Sequence, residues 1–172
     1  MRVVARRACV CVADGEGRNS VWLAEQGLTV QAFDIAGTGV TKARELAAER
    51  GVAVSFSVAD CDDYQWPDAT CDGVAAIFAQ FADPALRKRL FARMVCALKP
   101  GGRLVLQGYT PRQLEYRTGG PPLASHLYTQ TLLSEAFSEL DIEHLREYDA
   151  DLTEGNGHHG RSALIGMVAR RC

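Results

Sequence analysis

The chain has 172 residues, of which 47% are hydrophobic and 23% charged, a composition that is ordinary for one soluble globular domain with a sizeable core. The formal net charge of −2 gives no sign of a nucleic-acid or membrane surface as partner. No apolar run approaches the ~20 residues of a membrane helix, and the basic N-terminus lacks the apolar core of a signal peptide, so we expect a cytoplasmic protein.

The first predicted unit is a strand, a glycine loop and a helix. Residues 3–13 hold an apolar run, Gly15 and Gly17 break it, and residues 19–26 have the apolar spacing of a helix. Glycines let the backbone turn sharply and let a ligand approach without a Cβ in the way. The start of a helix also presents free N–H groups to a polar ligand. We therefore interpret this unit as the nucleotide-binding end of a doubly wound sheet.

The second predicted strand, residues 28–33, leads into Asp34. An acidic residue about 20 residues after such a loop is placed to hydrogen-bond the hydroxyl pair of a ribose. The pyrophosphate fingerprint G-x-G-x-x-G is absent, because no glycine follows Gly17 three residues later. A nucleoside without a phosphate is therefore favoured over a dinucleotide, and S-adenosylmethionine (SAM) is the common one.

The rest of the chain continues the alternation of helix and strand. After a loop over 37–39, the pattern predicts a helix over 40–50, strands over 52–58 and 72–78, a helix over 84–98 and a strand over 103–107. A helix from 129 or 131, a strand over 141–151, a glycine loop over 154–160 and a last strand over 161–171 follow. Such alternation favours a parallel sheet with right-handed crossovers.

These motifs together resemble the class I SAM-dependent methyltransferases, in particular the small bacterial enzymes related to tellurite-resistance methyltransferases. The matching segments are Gly15-Glu16-Gly17-Arg18-Asn19, residues 23–27, Asp34, Ala59-Asp60-Cys61, Ala76-Ile77-Phe78 and Leu98-Lys99-Pro100-Gly101-Gly102. The resemblance covers nearly the whole chain. It implies an α/β, Rossmann-like doubly wound fold. Its mostly parallel seven-stranded sheet would have an antiparallel last strand between the fifth and sixth.

The resemblance also implies methyl transfer from SAM to a small-molecule acceptor. We expect the cofactor to contact Ala13, Asp14, Gly15, Gly17, Asn19, Asp34, Ile35, Asp60, Cys61, Ile77 and Gln80. In the resembled family the position of Asp60 contacts the adenine amino group, often together with the backbone of the next residue. A helix cap or a turn is the alternative role for Asp60.

The first loop departs from the family pattern at two positions. Cys11 stands where the family has an acidic residue, and Ala13 stands where it has its first glycine. Asp14 lies inside the loop, and its carboxylate could take over the contact to the SAM amino group. Alternatively, Asp14 only caps the helix that follows.

The N-terminus also differs from the resembled family, whose members usually carry a further segment, commonly helical, that helps to close the SAM site. We expect residues 1–172 to form a single methyltransferase domain in which this lid segment is missing. Closure would then come from another segment or from another subunit.

The connection from Tyr109 to Tyr128 is long and irregular, and such connections are usually functional or disordered. Its aromatic content argues against disorder. We interpret it as a wall or lid of the substrate site, with a packed surface loop as the alternative. The residues expected to contact substrate are Phe81, Tyr109, Tyr116 and His158. Arg112, Arg117 and Arg161 could hold an anionic substrate.

Methyl transfer from a sulfonium starts from an activated donor, so the protein mainly positions and desolvates the acceptor. A thiolate or a chalcogen oxyanion needs little help from a base, and the resemblance favours a thiol, selenite or tellurite. The sequence assigns no catalytic residue. The pair His158-His159 is compatible with a base or substrate site, a metal site or a solvated turn.

Six cysteines form no C-x-x-C pair, so we expect no metal, and Cys9 and Cys11 are expected to pack in a buried strand. Two other functions stay open. One is a non-catalytic SAM-binding or regulatory protein that lacks the N-terminal lid. The other, a nicotinamide-dependent oxidoreductase, is the weakest, because its pyrophosphate loop is absent.

Overall fold

The fold was determined as a computed structural model that describes residues 7–154 and 158–172, without the side chains of Glu154 and His158. In chain order the elements are β1 (Ala8–Val12), α1 (Arg18–Glu25), β2 (Thr29–Asp34), α2 (Gly37–Glu49), β3 (Val54–Val58), β4 (Cys71–Ile77), α3 (Pro84–Ala97), β5 (Leu98–Tyr109), α4 (Gln113–Tyr116), a 3₁₀ turn (Ala124–His126), α5 (Gln130–Ala136), β6 (Leu140–Glu154) and β7 (His158–Arg171).

The strands of the described residues form one seven-stranded sheet in the order β3-β2-β1-β4-β5-β7-β6. Strands β1 to β5 pair in parallel, and β7 pairs antiparallel with both β5 and β6. The predicted doubly wound fold is therefore confirmed, including the antiparallel last strand between the fifth and the sixth. Because β1 to β4 are parallel, their carboxyl ends meet at one edge of the sheet.

Several predicted boundaries are wrong. Strand β6 runs to Glu154 and β7 begins at His158, so the predicted loop over 154–160 is shorter than expected. Residues 3–6 of the predicted first strand and residues 155–157 of that loop lie outside the described residues.

Two other boundaries have a clear cause. Residues 37–39 belong to α2 rather than to a loop. A Cβ at Gly39 would lie 3.1 Å from the Gly15 carbonyl oxygen, so glycine lets this helix start against the first loop. Strand β5 begins at Leu98, before the Gly101-Gly102 pair, because Leu98 pairs with Cys71 ahead of a register shift.

One face of the sheet carries the main core. Leu104 and Leu106 of β5 pack there in a cluster with Leu90 and Met94 of α3. On the opposite face, helices α1 and α2 lie over the first strands, and Cys11 is buried there as expected. Within the described residues, no helix has the length and apolar character needed to cross a membrane.

Candidate functional site

A cleft with two compartments opens at the carboxyl ends of β1 to β4. The apolar compartment, about 290 Å³, is lined by Ala13, Phe33, Asp34, Ile35, Ala59, Asp60, Cys61, Phe78 and Phe81. The polar compartment, about 400 Å³, is lined by Ala13, Asp14, Gly15, Glu16, Arg18, Asn19, Ile77 and Phe78. Ala13 and Phe78 line both compartments, so the two adjoin.

Both shared residues have a left-handed backbone. Ala13 has φ 49° and Phe78 has φ 57°, a conformation that costs roughly 1–2 kcal/mol for a residue with a Cβ. Each directly follows a strand, Ala13 after β1 and Phe78 after β4, and turns the chain away from the sheet. Strained residues of this kind cluster at functional sites. At Ala13 the strain coincides with the position where the resembled family has glycine.

Asp34 ties the first loop to the start of α2. Its Oδ2 accepts the Gly15 backbone N–H at 2.9 Å, and its Oδ1 accepts the Ala36 backbone N–H at 2.8 Å. Through these bonds the end of β2 holds the loop after β1 in place. The carboxylate lines the apolar compartment, next to the loop that lines the polar one.

Asp14 caps helix α1. Its carboxylate accepts the Ser20 backbone N–H at 3.3 Å and also the Ser20 hydroxyl. Burial raises the pKa of Asp14 to about 6, although the hydrogen bonds from Ser20 oppose that rise, and the charge of Asp34 adds to it. Asp14 also lines the polar compartment. The capping role therefore coexists with a position in the cleft.

The two loop glycines differ in what surrounds them. Gly15 has φ 61°, lines the polar compartment and would carry a Cβ with nothing within 4 Å. Gly17 has φ 85°, and its Cβ would lie 2.7 Å from the Cβ of Ala43. Gly17 does not line the cleft, so its predicted cofactor contact has no support, and the glycine serves the close packing of α1 on α2.

The loop after β3 holds Asp60 and Cys61. Asp60 Oδ1 accepts the backbone N–H groups of Asp62 and Asp63, both at 2.8 Å, so the turn role left open by the sequence is present. The carbonyl oxygen of Cys61 accepts two bonds at 3.0 Å, from Trp66 Nε1 and Arg93 Nη1. These contacts hold the loop beside the apolar compartment.

An aromatic cluster lies next to that compartment and includes Phe33 of its lining. The rings of Phe33 and Tyr64 stack with centroids 4.1 Å apart, and Trp66 packs edge-on against both. The Tyr64 hydroxyl donates to Gln31 Oε1 at 3.0 Å, and burial raises the pKa of Tyr64 to about 12. Tyr64 is therefore a neutral packing residue, and only Phe33 of the three lines the cleft.

Gln80 has a different role from the predicted cofactor contact. It is 4% exposed and lines neither compartment. Its Nε2 donates to the carbonyl oxygens of Tyr109 and His126, and its Oε1 accepts the Tyr109 N–H at 2.6 Å. Gln80 therefore fastens the connection after β5 to the end of that strand.

The four residues predicted to contact substrate lie in different places. Phe81 lines the apolar compartment and is 47% exposed. Tyr109 is buried, and its ring packs against Phe78 with centroids 4.8 Å apart. Tyr116 lies outside the cleft, where its hydroxyl donates to Asp149 at 2.8 Å. His158 begins β7, but its side chain is outside the described part of the chain.

Five lining residues are not among the residues expected to contact cofactor or substrate, namely Phe33, Ala59, Phe78, Glu16 and Arg18. Ala59, Phe78, Glu16 and Arg18 stood within the quoted motifs, and the rule that ligands bind at the carboxyl ends of strands points to Phe78 and also to Phe33. Glu16 forms an ion pair with Lys42 at 2.6 Å.

The fold and this cleft together define a Rossmann-like enzyme of the SAM-dependent methyltransferase class. A family described as "Methyltransferase domain" matches residues 10–102. The chain belongs to this family, and SAM is its cofactor, as predicted. No curated protein matches the chain significantly in sequence.

Solved structures share the fold at low sequence identity. A SAM-dependent methyltransferase from Methanosarcina mazei is 17% identical with a TM-score of 0.81, over 98% of this chain and 94% of that one. TehB from Haemophilus influenzae is 17% identical with a TM-score of 0.77, over 99% and 59%. A structure described for the conversion of a disulfide bond into a thioacetal group during echinomycin biosynthesis is 19% identical with a TM-score of 0.78, over 96% and 76%.

The residues of the cleft fit the chemistry of SAM. An apolar compartment with carboxylates at its edge suits a nucleoside, and a polar one suits the charged methionine part. Asp14, Asp34 and Asp60 line the cleft, and none of them forms an ion pair with a residue of the described ranges. This excess of negative charge complements a cofactor that carries a sulfonium and an ammonium group.

Proposed function

We propose that residues 1–172 act as a single domain that transfers the methyl group of SAM to a small, soft nucleophile. Thiols, selenite and tellurite are the candidate acceptors. The bound cofactor supplies a methyl group activated by the sulfonium, and the protein contributes binding, orientation and exclusion of water.

The adenosine part of the cofactor is assigned to the apolar compartment. Phe33 and Ile35 supply apolar surface there, Asp60 with the backbone of Cys61 receives the adenine, and Asp34 receives the ribose hydroxyls. The lining of the compartment by all five residues supports this assignment.

The methionine part is assigned to the polar compartment. Asp14, Gly15, Asn19 and Ile77 surround it there, with Ala13 at the junction of the two compartments. The carboxylate of Asp14 holds the ammonium group. Arg18, which also lines this compartment, is available to a carboxylate.

The soft acceptor is favoured by the titratable groups of the cleft. Among the described residues, the side chains with ionisable groups in the two compartments are Asp14, Glu16, Arg18, Asp34, Asp60 and Cys61. No histidine, lysine or tyrosine is among them. A phenol or an amine needs a base to remove its proton, and three of the four carboxylates are assigned to the cofactor while Glu16 is paired with Lys42. An acceptor that arrives as an anion needs no base.

Two of the similar structures support the same acceptor chemistry. TehB is a tellurite-resistance methyltransferase. The structure linked to echinomycin biosynthesis concerns a reaction at the sulfur atoms of a disulfide bond. Both involve a soft, polarizable chalcogen atom.

The test is calorimetric titration with SAM and S-adenosylhomocysteine, with NADH as the control ligand. Transfer of labelled methyl groups is then measured to a thiol, selenite, tellurite, a catechol and an amine. We expect micromolar binding of both SAM species, no binding of NADH, and transfer to the soft acceptors only. Transfer to the catechol or the amine alone would contradict the proposed acceptor class.

A non-catalytic SAM-binding protein is the second candidate, and the open mouth of the cleft favours it. Ile35 is 73% exposed and Phe81 is 47% exposed, so apolar surface at the mouth lies in solvent. A catalytic site normally excludes water when the substrate is bound. Normal affinity for SAM together with no transfer to any acceptor would support this candidate.

A further inference from the structure

Ser20 lies next to the polar compartment without lining it. It is fully buried, belongs to the first turn of α1, and is absent from the lining of both compartments. Its hydroxyl contacts Asp14, which does line the polar compartment. Any effect of Ser20 on a bound ligand therefore passes through Asp14.

The Asp14 carboxylate is held at both of its oxygens by Ser20. Its Oδ2 accepts the Ser20 hydroxyl, and its Oδ1 accepts the Ser20 backbone N–H at 3.3 Å. An ionised carboxylate has about four acceptor positions on its two oxygens. The two bonds from Ser20 occupy one position on each oxygen, so each oxygen keeps a further position for a ligand in the compartment.

A second acceptor lies beside the Ser20 hydroxyl. The Ser20 Oγ is 3.2 Å from the Gly17 carbonyl oxygen, which already accepts the Val21 backbone N–H at 2.9 Å. A hydroxyl has one hydrogen to donate and two lone pairs. When Asp14 is ionised, that hydrogen goes to the carboxylate. When Asp14 is protonated, its O–H can donate to Ser20, whose own hydrogen then goes to Gly17. Ser20 thus offers a partner to either charge state of Asp14.

The surroundings of Asp14 oppose its ionisation. The charged or titratable groups on the elements around it are Asp34 at the end of β2, Glu16 and Arg18 of the first loop and α1, Lys42 of α2, which pairs with Glu16, and the thiols of Cys9 and Cys11 in β1. The end of β4 adds Ile77 and Phe78, which carry no charge. Within the described ranges Asp14 has no ion pair. Burial and the charge of Asp34 disfavour the ionised carboxylate, whereas the hydrogen bonds from Ser20 favour it.

We propose that Ser20 is a positioning residue for the cofactor, which holds the Asp14 carboxylate in the charged form and in the orientation that bind the ammonium group of SAM. This inference rests on the proposed function, which assigns that contact to Asp14. Because Ser20 is shielded from water, no solvent competes with its hydroxyl for the carboxylate. The carboxylate is therefore oriented before the cofactor arrives.

The experiment removes the hydroxyl and follows the titration of Asp14. In Ser20→Ala the pKa of Asp14 should rise, because hydrogen bonds to the charged form hold it down. The loss of one such bond should raise it by about one unit. Carbon NMR of the Asp14 carboxyl group measures the midpoint without ligand, and calorimetry measures SAM affinity between about pH 5 and pH 7.5.

The loss of SAM affinity should depend on pH. With the midpoint about one unit higher, affinity at about pH 6 should fall about fivefold, because far less of Asp14 is then ionised. At about pH 7.5 the loss should be much smaller, since Asp14 is mostly ionised in both proteins. A merely structural role of Ser20 would lower the affinity equally at every pH. In an Asp14→Asn background, Ser20→Ala should cause no further pH-dependent loss.

Ser162→Ala is the matched control. Ser162 is also fully buried, its hydroxyl donates to the Gly160 carbonyl oxygen at 3.1 Å, and it lines neither compartment. Ser20→Cys is the second variant, because a thiol fills similar space but donates only weakly. It should shift the midpoint in the same direction as Ser20→Ala. Thermal melting of each variant checks that the fold is retained.

An Asp14 midpoint that is the same in Ser20→Ala, Ser20→Cys and the unmodified protein would overturn the proposal. A shifted midpoint with unchanged SAM affinity at about pH 6 would also overturn it, because Ser20 would then act on Asp14 but not on the cofactor. Failure of the proposed function has a different signature. The shifted midpoint and the pH-dependent loss of affinity would persist, but SAM would transfer no methyl group to any acceptor.

Discussion

The carboxylate of Asp34 accepts the backbone N–H of Gly15, 19 residues earlier in the chain, at 2.9 Å. The bond joins the end of β2 to the loop after β1, so a single side chain sets the relative position of two walls of the cleft. Because the same carboxylate also accepts the Ala36 N–H, it anchors the start of α2 as well.

Replacing Asp34 tests this relationship. Asp34→Asn keeps the size of the side chain but exchanges one acceptor oxygen for an NH₂ group, which cannot accept both N–H bonds. We expect the free energy of unfolding to fall by about 1–2 kcal/mol and SAM affinity to fall on the order of 10- to 100-fold. Urea unfolding and calorimetry measure the two effects.

Asp68→Asn is the control, because Asp68 is an exposed acid outside the cleft. If both variants bind SAM as the unmodified protein does, Asp34 holds the loop but has no part in cofactor binding.

The left-handed backbone of Ala13 predicts a stabilising substitution. Glycine adopts φ 49° without the Cβ penalty, so Ala13→Gly should raise the free energy of unfolding by about 1 kcal/mol. Ala69→Gly is the matched control for Ala13→Gly, because Ala69 has φ 48° but does not line the cleft. Both should unfold at higher urea concentration, and only Ala13→Gly should alter SAM affinity. Destabilisation by both would refute the strain argument.

The raised pKa of Asp14 predicts a pH dependence with a definite sign. The carboxyl has a pKa of about 6 in the folded protein and an ordinary value of 3.8, so the folded state holds this proton more tightly than the unfolded chain. Its contribution to stability is therefore full below pH 3.8 and is lost as the pH rises through 6. Thermal melting across this range should show the loss in the unmodified protein and a smaller one in Asp14→Asn.

The same titration should affect the cofactor in the opposite direction. Ionised Asp14 attracts the ammonium group of SAM, so affinity should increase as the pH rises through 6, and Asp14→Asn should abolish the increase. Glu16→Gln serves as control, because Glu16 lines the same compartment but is paired with Lys42. A pH profile that is unchanged in Asp14→Asn would refute the assigned contact.

Replacing Gly17 by alanine should destabilise the fold, and the same replacement at Gly27 is the matched control. In Gly17→Ala the new Cβ would lie 2.7 Å from the Ala43 Cβ, whereas in Gly27→Ala it would meet nothing within 4 Å. The two glycines have φ 85° and 87°, so the backbone penalty is the same. Gly17→Ala should therefore cost about 1–3 kcal/mol more in unfolding free energy. Equal losses would show that helix packing does not require Gly17.

Much of the fold could be predicted because its signals are local. The alternation of apolar segments and glycine loops identified the strands and the helices, and the motifs pointed to a SAM-dependent enzyme. The predicted ends of helices and strands were wrong where a contact with a residue far away in the sequence sets the end of the element. Helix α2 starts at Gly37 because Gly39 fits against Gly15, and β5 starts at Leu98 because that residue pairs with Cys71.

The candidate site likewise has features that local sequence signals predict and features that depend on distant contacts. By itself the sequence determined the doubly wound fold, the position of Asp34 and Asp60 at strand ends, and the presence of a glycine loop, since strand order in this fold brings such positions to one edge. Only the tertiary structure decided that Gln80 fastens a loop, that Gly17 packs on Ala43, and that Arg112 and Arg161 meet at Asp149. The physical reason is that periodicity fixes which way a strand or helix faces, whereas the partner of a side chain depends on segments far away in the chain.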